Sequence, residues 1–222
     1  MGRSVGAKLV LGMLALVGLA ACDANRRPTN SIAEIQRLFD LPPPRPARFM
    51  VCREHACQVK SPVSLSDAEW GRVRTLMSPP AANAAEERAR AAQAIGLLEA
   101  LVADQAGTGK DLGGTFAGVG RGKGQLDCED EAANTMQYLI MMRDDRLLRF
   151  NTPIGRQWRG NFLNGWPHTT AVVVDNATGG EWAIDSWFED NGRPAHVVEA
   201  ERWRAGWSPD GKSGPQFGVA GR

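Results

Sequence analysis

Asp127-Cys128-Glu129-Asp130-Glu131-Ala132 is the stretch on which the reading of this chain turns. Asp127 is an N-cap residue, and Ala132, Met136, Leu139, Ile140 and Arg143 follow at helical spacing. A helix from about Asp127 to Arg143 is therefore expected. Cys128 falls in its first turn, where backbone N–H groups and the macrodipole favour a thiolate over a thiol. Downstream lie two strand-like runs, Thr169 to Val174 and Glu181 to Trp187, joined by Asp175-Asn176-Ala177-Thr178-Gly179-Gly180. That spacer suits an antiparallel turn. His168 begins the first strand, and Asp185 lies on the second, 17 residues later. Pairing about the turn brings them close across the hairpin.

The three side chains have complementary chemistry. Cys128 is a candidate nucleophile, His168 its proton carrier, and Asp185 the group that fixes the imidazole tautomer. Each also has a plain structural reading: a buried thiol, a satisfied strand histidine, a strand-end turn former. The other two histidines fit the order Cys, His, Asp less well. His55 lies between two cysteines, and His196 follows Gly192-Arg193-Pro194 in a polar stretch.

Cysteine usage points to the compartment. Arg3 and Lys8 precede an apolar run from Leu9 to Ala21, too short at about 20 Å to span a bilayer. Residues 1–21 thus read as a signal peptide. They end in Leu19-Ala20-Ala21-Cys22, which resembles a bacterial lipobox and implies lipidation of Cys22; plain cleavage after Ala21 is the alternative. Thiols in such an exported context tend to pair. Cys52 and Cys57 flank Arg53-Glu54-His55-Ala56 between two extended segments, 48–52 and 57–63. The pattern predicts a hairpin closed by a disulfide; a metal site with His55 is the rival. Cys128 is the thiol left over.

The chain has 222 residues, 23% charged and 43% hydrophobic, with a net charge of +1. That is a globular composition with no basic footprint for nucleic acid. Residues 22–47 read as a lipidated tether and short helix, opened by the capping box Ser31 to Glu34. Residues 48–106 hold the hairpin, a helix from Ser66 to about Met77, and a helix from Asn83 with Ala91, Ile95, Leu98 and Val102 on its apolar face. Residues 107–207 form the core, with a glycine-rich loop at 107–124 and a short strand expected at 146–151. The loop is not a phosphate loop: the required Gly and Ser/Thr positions hold Asp104 and Asp111, or Ala117 and Gly124. Residues 208–222 read as a flexible tail.

The Asp127 helix start, the Trp166-Pro167-His168-Thr169-Thr170-Ala171-Val172-Val173 strand and the Trp182-Ala183-Ile184-Asp185-Ser186-Trp187 strand together resemble bacterial transglutaminase-like cysteine proteinases of the papain superfamily. The resemblance covers roughly residues 110–190 and implies an α+β, papain-like core with the nucleophile helix packed on an antiparallel sheet. It implies a Cys128-His168-Asp185 triad acting on a protein or peptide amide in the envelope, with no cofactor required. Papain-type enzymes place a Gln upstream of the nucleophile, which makes Gln125 an oxyanion candidate beside the Cys128 N–H. The acidic turn reads as helix-dipole compensation or, with relatives that use calcium there, as a Ca²⁺ site with Asp127, Glu129 and Asp130 as ligands. Two rival functions stand beside the hydrolase: a non-catalytic envelope lipoprotein that binds through this scaffold, and a peptidoglycan-directed cysteine amidase. Six of the seven tryptophans follow residue 157 and keep the second in view.

Overall fold

The computed structural model describes residues 30–116, 123–160 and 167–209. The signal peptide, Cys22, Trp166 and most of the C-terminal tail lie outside the described residues.

β1 (Asn30–Ser31) leads into α1 (Ile32–Leu38), whose capping box is formed by Ser31 and Glu34. β2 (Phe49–Arg53) and β3 (Val59–Val63) make a separate two-stranded antiparallel sheet. α2 (Asp67–Leu76) is capped by Ser66 and Glu69, and α3 (Ala84–Ala106) by Asn83. α3 ends at Gly107, whose φ of 77° and N–H bond to Ala103 O form a left-handed C-terminal stop. α4 (Cys128–Asp144) follows, then β4 (Asn151–Arg159), β5 (His168–Asp175), β6 (Glu181–Asp185), β7 (His196–Glu199) and α5 (Ala200–Arg204). The main sheet is antiparallel throughout, in the order β1-β4-β5-β6-β7.

The fold is thus α+β, as expected. The predicted apolar faces of α3 and α4 are buried: Ala91, Ile95, Leu98 and Val102 on one, and Ala132, Met136, Leu139 and Ile140 on the other. All of these except Ala132 share one core with Phe49, Val51 and the hairpin cysteines, so the hairpin is packed into the body rather than standing off it. No helix among the described residues is long and apolar enough to cross a membrane.

Three expectations need correction. The strand placed at 146–151 runs instead from Asn151 to Arg159. Pro153 and Gly155 disguise it, because both weaken a strand pattern. The register shifts between them, and a Cβ at Gly155 would lie 1.8 Å from Asn30 O, so glycine is what lets β1 join the edge. The second hairpin strand ends at Asp185 rather than Trp187, and β7, read only as a polar stretch, pairs with it. The loop of the 48–63 hairpin is longer than four residues: Arg53 pairs with Val59, and Glu54, His55, Ala56 and Cys57 all have positive φ.

Candidate functional site

Asp127 caps α4 by accepting the Glu129 and Asp130 N–H groups on Oδ1, at 3.1 and 2.9 Å. Cys128 is therefore the first residue of the helix, and its thiol is only 8% exposed. The Thr169 backbone N–H, one residue from His168 at the start of β5, acts on that thiol and lowers its pKa. Glu129 docks the helix start on the sheet by accepting from Thr169 Oγ1 at 2.6 Å and pairing with Arg156.

His168 Nε2 and Asp185 Oδ2 are 2.7 Å apart, both buried. The β5–β6 register explains the meeting. Ala171 pairs with Ile184, so Asp185 falls across from Thr170, two residues from His168 and on the same face of the sheet. Asp185 accepts two further hydrogen bonds, from Trp203 Nε1 at 2.7 Å and from the Trp187 N–H at 3.3 Å. Trp187, Phe188 and Trp203 surround the imidazole, with ring centroids 4.5, 5.2 and 5.4 Å away. His168 Nδ1 is buried and has no hydrogen-bond partner among the described residues.

Burial pushes the Asp185 carboxyl up, but the His168 imidazole, the Trp203 N–H and the Arg159 guanidinium more than offset it, and it lies below the usual carboxylate range. Cys128 moves the other way. Burial and then the Asp127 carboxylate push its thiol up, against the Thr169 N–H that pulls it down. The helix start was expected to favour a thiolate; here desolvation outweighs the dipole.

Gln125 is engaged elsewhere. Its Nε2 donates to Lys110 O at 2.8 Å and its Oε1 accepts from the Leu112 N–H at 3.3 Å, bracing the loop before the helix.

The four acids of the first turn diverge. Asp127 and Asp130 face the 54–57 turn: His55 Nδ1 donates to Asp127 Oδ2, and the Ala56, His55 and Cys57 N–H groups reach Asp127 Oδ1, Asp130 Oδ2 and Asp130 Oδ1. Glu129 faces β4 and β5, while Glu131 accepts from Ser186 Oγ at 2.6 Å. The oxygens that would bind calcium are thus turned onto N–H and O–H donors in three directions. No group of three or more His, Cys, Asp or Glu side chains among the described residues is placed to hold a metal. In this arrangement the Asp127 and Asp130 carboxyls face the 54–57 turn while Glu129 faces β4 and β5, whereas a calcium ion takes six to eight converging oxygens. Burial and the neighbouring Asp127 carboxylate push Asp130 up to about 8. Behind it, burial and then Glu131 push Asp111 up to about 9, and burial raises Glu131 itself to about 7.

Cys52 and Cys57 are bonded, with Cα atoms 4.4 Å apart. Cys128 is the free cysteine among the described residues. The bond joins β2 to the turn rather than strand to strand, since the residue opposite Cys52 is Lys60.

Sequence reasoning missed Trp203, Thr169 and Arg159. Arg159 stacks over the Trp203 ring and donates to Trp203 O and, at 2.6 Å, to Trp207 O. No spacing rule links these positions to Asp185. The one available signal is that a buried indole N–H needs an acceptor.

No family model matches this chain, and no curated protein or solved structure matches it either.

Proposed function

We propose that this protein is a transglutaminase-like cysteine hydrolase with a papain-like core, cleaving a protein or peptide amide in the bacterial cell envelope. In this reading it is held to the membrane by a lipid on Cys22 and faces the periplasm. One observation carries the chemistry: a buried imidazole with Asp185 on one nitrogen and no hydrogen-bond partner among the described residues on the other, one residue from the Thr169 N–H that acts on the Cys128 thiol.

Asp185 accepts from His168 Nε2–H and so leaves Nδ1 as the basic nitrogen. Nδ1 takes the Cys128 proton as the sulfur attacks the carbonyl carbon. The Cys128 N–H, one of the free donors of the α4 first turn, faces the developing oxyanion. Collapse of the tetrahedral intermediate breaks the C–N bond, and His168 returns the proton to the departing amine. Water, deprotonated by His168, then attacks the thioester and releases the acid and the thiol. The chain's own side chains carry each step.

A second reading has one observation in its favour. Cys128 is buried with its thiol pushed up, as an inert core cysteine in a binding lipoprotein would be. Labelling separates the two. With iodoacetamide at pH 7.5, and no reductant, Cys128 of the folded full chain should alkylate at least tenfold faster than in His168→Ala of unchanged circular dichroism. Equal rates would overturn the hydrolase. If Cys128 reacts, cleavage of peptide amides against release of muropeptide fragments distinguishes the protein-directed enzyme from a cell-wall amidase.

A further inference from the structure

Glu54, His55, Ala56 and Cys57 have φ values of 66, 74, 46 and 60°. Four consecutive non-glycine residues in the left-handed region cost roughly 1–2 kcal/mol each. A segment so unfavourable in isolation persists only when its surroundings over-determine it. Here they do. The Cys52–Cys57 bond closes it, and Asn134 holds its root by accepting the Cys52 N–H at 2.7 Å and donating to Cys52 O at 2.9 Å. In that shape three successive N–H groups, of His55, Ala56 and Cys57, point at the Asp127 and Asp130 carboxyls. The same carboxyls cap α4 from the other side. Two sets of backbone donors, one from a left-handed turn and one from a right-handed helix, therefore share one pair of acids.

Glu54 extends the grip to the chain before the helix. Its N–H donates to Gln125 O, and its Oε1 accepts from the Gly124 N–H at 2.8 Å. The turn thus touches both sides of Cys128 in sequence without including it.

Asp127 stands next to the residue on which negative charge must develop during attack, and an unpaired carboxylate there opposes that charge. The partner given to its outer oxygen is His55. Resting on the nucleophile reading above, we propose that the disulfide-closed turn is a positioning element of the active site: it holds Asp127 on His55 and on its own N–H groups, and so limits how far that charge suppresses Cys128. His55 acts through Asp127 and is a positioning residue. The bond matters because it holds four left-handed residues that the chain alone would not.

The test compares alkylation rate constants at Cys128, read by peptide mapping, for the full-chain wild type and Cys52→Ser/Cys57→Ser. The variant without the bridge should react about tenfold more slowly. Adding Asp127→Asn, which keeps a competent helix cap but removes the charge, should restore at least half of the loss on a logarithmic scale. A merely structural role would give no such rescue. A folded bridge-less variant that reacts at the wild-type rate overturns the proposal, as does a slow one that Asp127→Asn leaves slow. Should that variant not fold, His55→Ala in the bridged protein replaces it. It should be slowed threefold or more and recovered by Asp127→Asn, and an unchanged rate again overturns the proposal. A wild type no faster than His168→Ala removes the nucleophile reading instead, so the two failures are distinguishable.

Discussion

Trp203 donates its indole N–H to the same oxygen of Asp185 that faces His168, both at 2.7 Å. The last described helix is thereby tied to the centre of the site, and the carboxylate cannot turn toward Trp203 without also fixing the imidazole. Trp203 itself is fully buried.

Removing that donor should be costly. Trp203→Phe keeps the ring packing and leaves one oxygen of a buried carboxylate short of a charge-assisted hydrogen bond, worth about 1.5–3 kcal/mol. Urea unfolding at pH 7 should show a loss of that size. Alkylation of Cys128 should fall as well, because Asp185 then holds the imidazole less firmly. A variant as stable as wild type would show that Asp185 is satisfied without the indole.

How far the sequence foretold this site depends on how local each relationship is. Cys128, His168 and Asp185 were legible because each is announced nearby: a cap residue before Cys128, and a turn of glycine, asparagine and aspartate between the two strands. Trp203 and Arg159 were not, since their contacts join elements whose relative placement no periodicity encodes. The left-handed turn was hidden for another reason. Glu54, His55, Ala56 and Cys57 include none of the glycines that usually announce positive φ; only the cysteine spacing hinted at a closed loop. The acids of the first turn read as a group in the sequence, whereas their partners lie on the 54–57 turn, β4, β5 and the segment after β6.

Stability should also depend on pH in a definite sense. The folded values of Asp111 and Glu131 are raised, to about 9 and about 7, chiefly by burial. A raised acid holds its proton in the folded state, so its stabilisation is complete below the ordinary carboxylate value and is lost as pH rises toward the folded value. Asp185 is lowered, and its contribution is lost only as pH falls below the ordinary range. The two trends place the maximum at the ordinary carboxylate value, near pH 4. The unfolding free energy from urea titration should fall from pH 5 to pH 8, by more than about 3 kcal/mol. Glu131→Gln should flatten that slope. A free energy that rises over the interval would contradict the buried-acid assignment.

Glu87 on α3 offers a test away from the chemistry. Its carboxylate accepts the Arg149, Phe150 and Asn151 N–H groups, at 2.6, 3.0 and 2.9 Å, and so pins the chain that leaves α4 to begin β4. Glu87→Ala strands these donors in a site 1% exposed. A loss of more than about 3 kcal/mol is expected, at roughly 1–3 kcal/mol for each unpaired group. Denaturant unfolding measures it, and a loss under about 1 kcal/mol would mean that the turn finds other acceptors.

The depth of Cys128 and His168, 8% and 3% exposed, gives the molecule a tempo as well as a geometry. A reagent reaches such a thiol only in the fraction of molecules that have opened, as exchange reaches a buried amide. At low reagent the observed rate is then that fraction multiplied by the rate of the exposed thiol with His168 still beside it. At high reagent it stops rising and becomes the frequency of opening itself. The concentration at which labelling saturates would therefore time how often this protein makes its interior available, before any substrate is known.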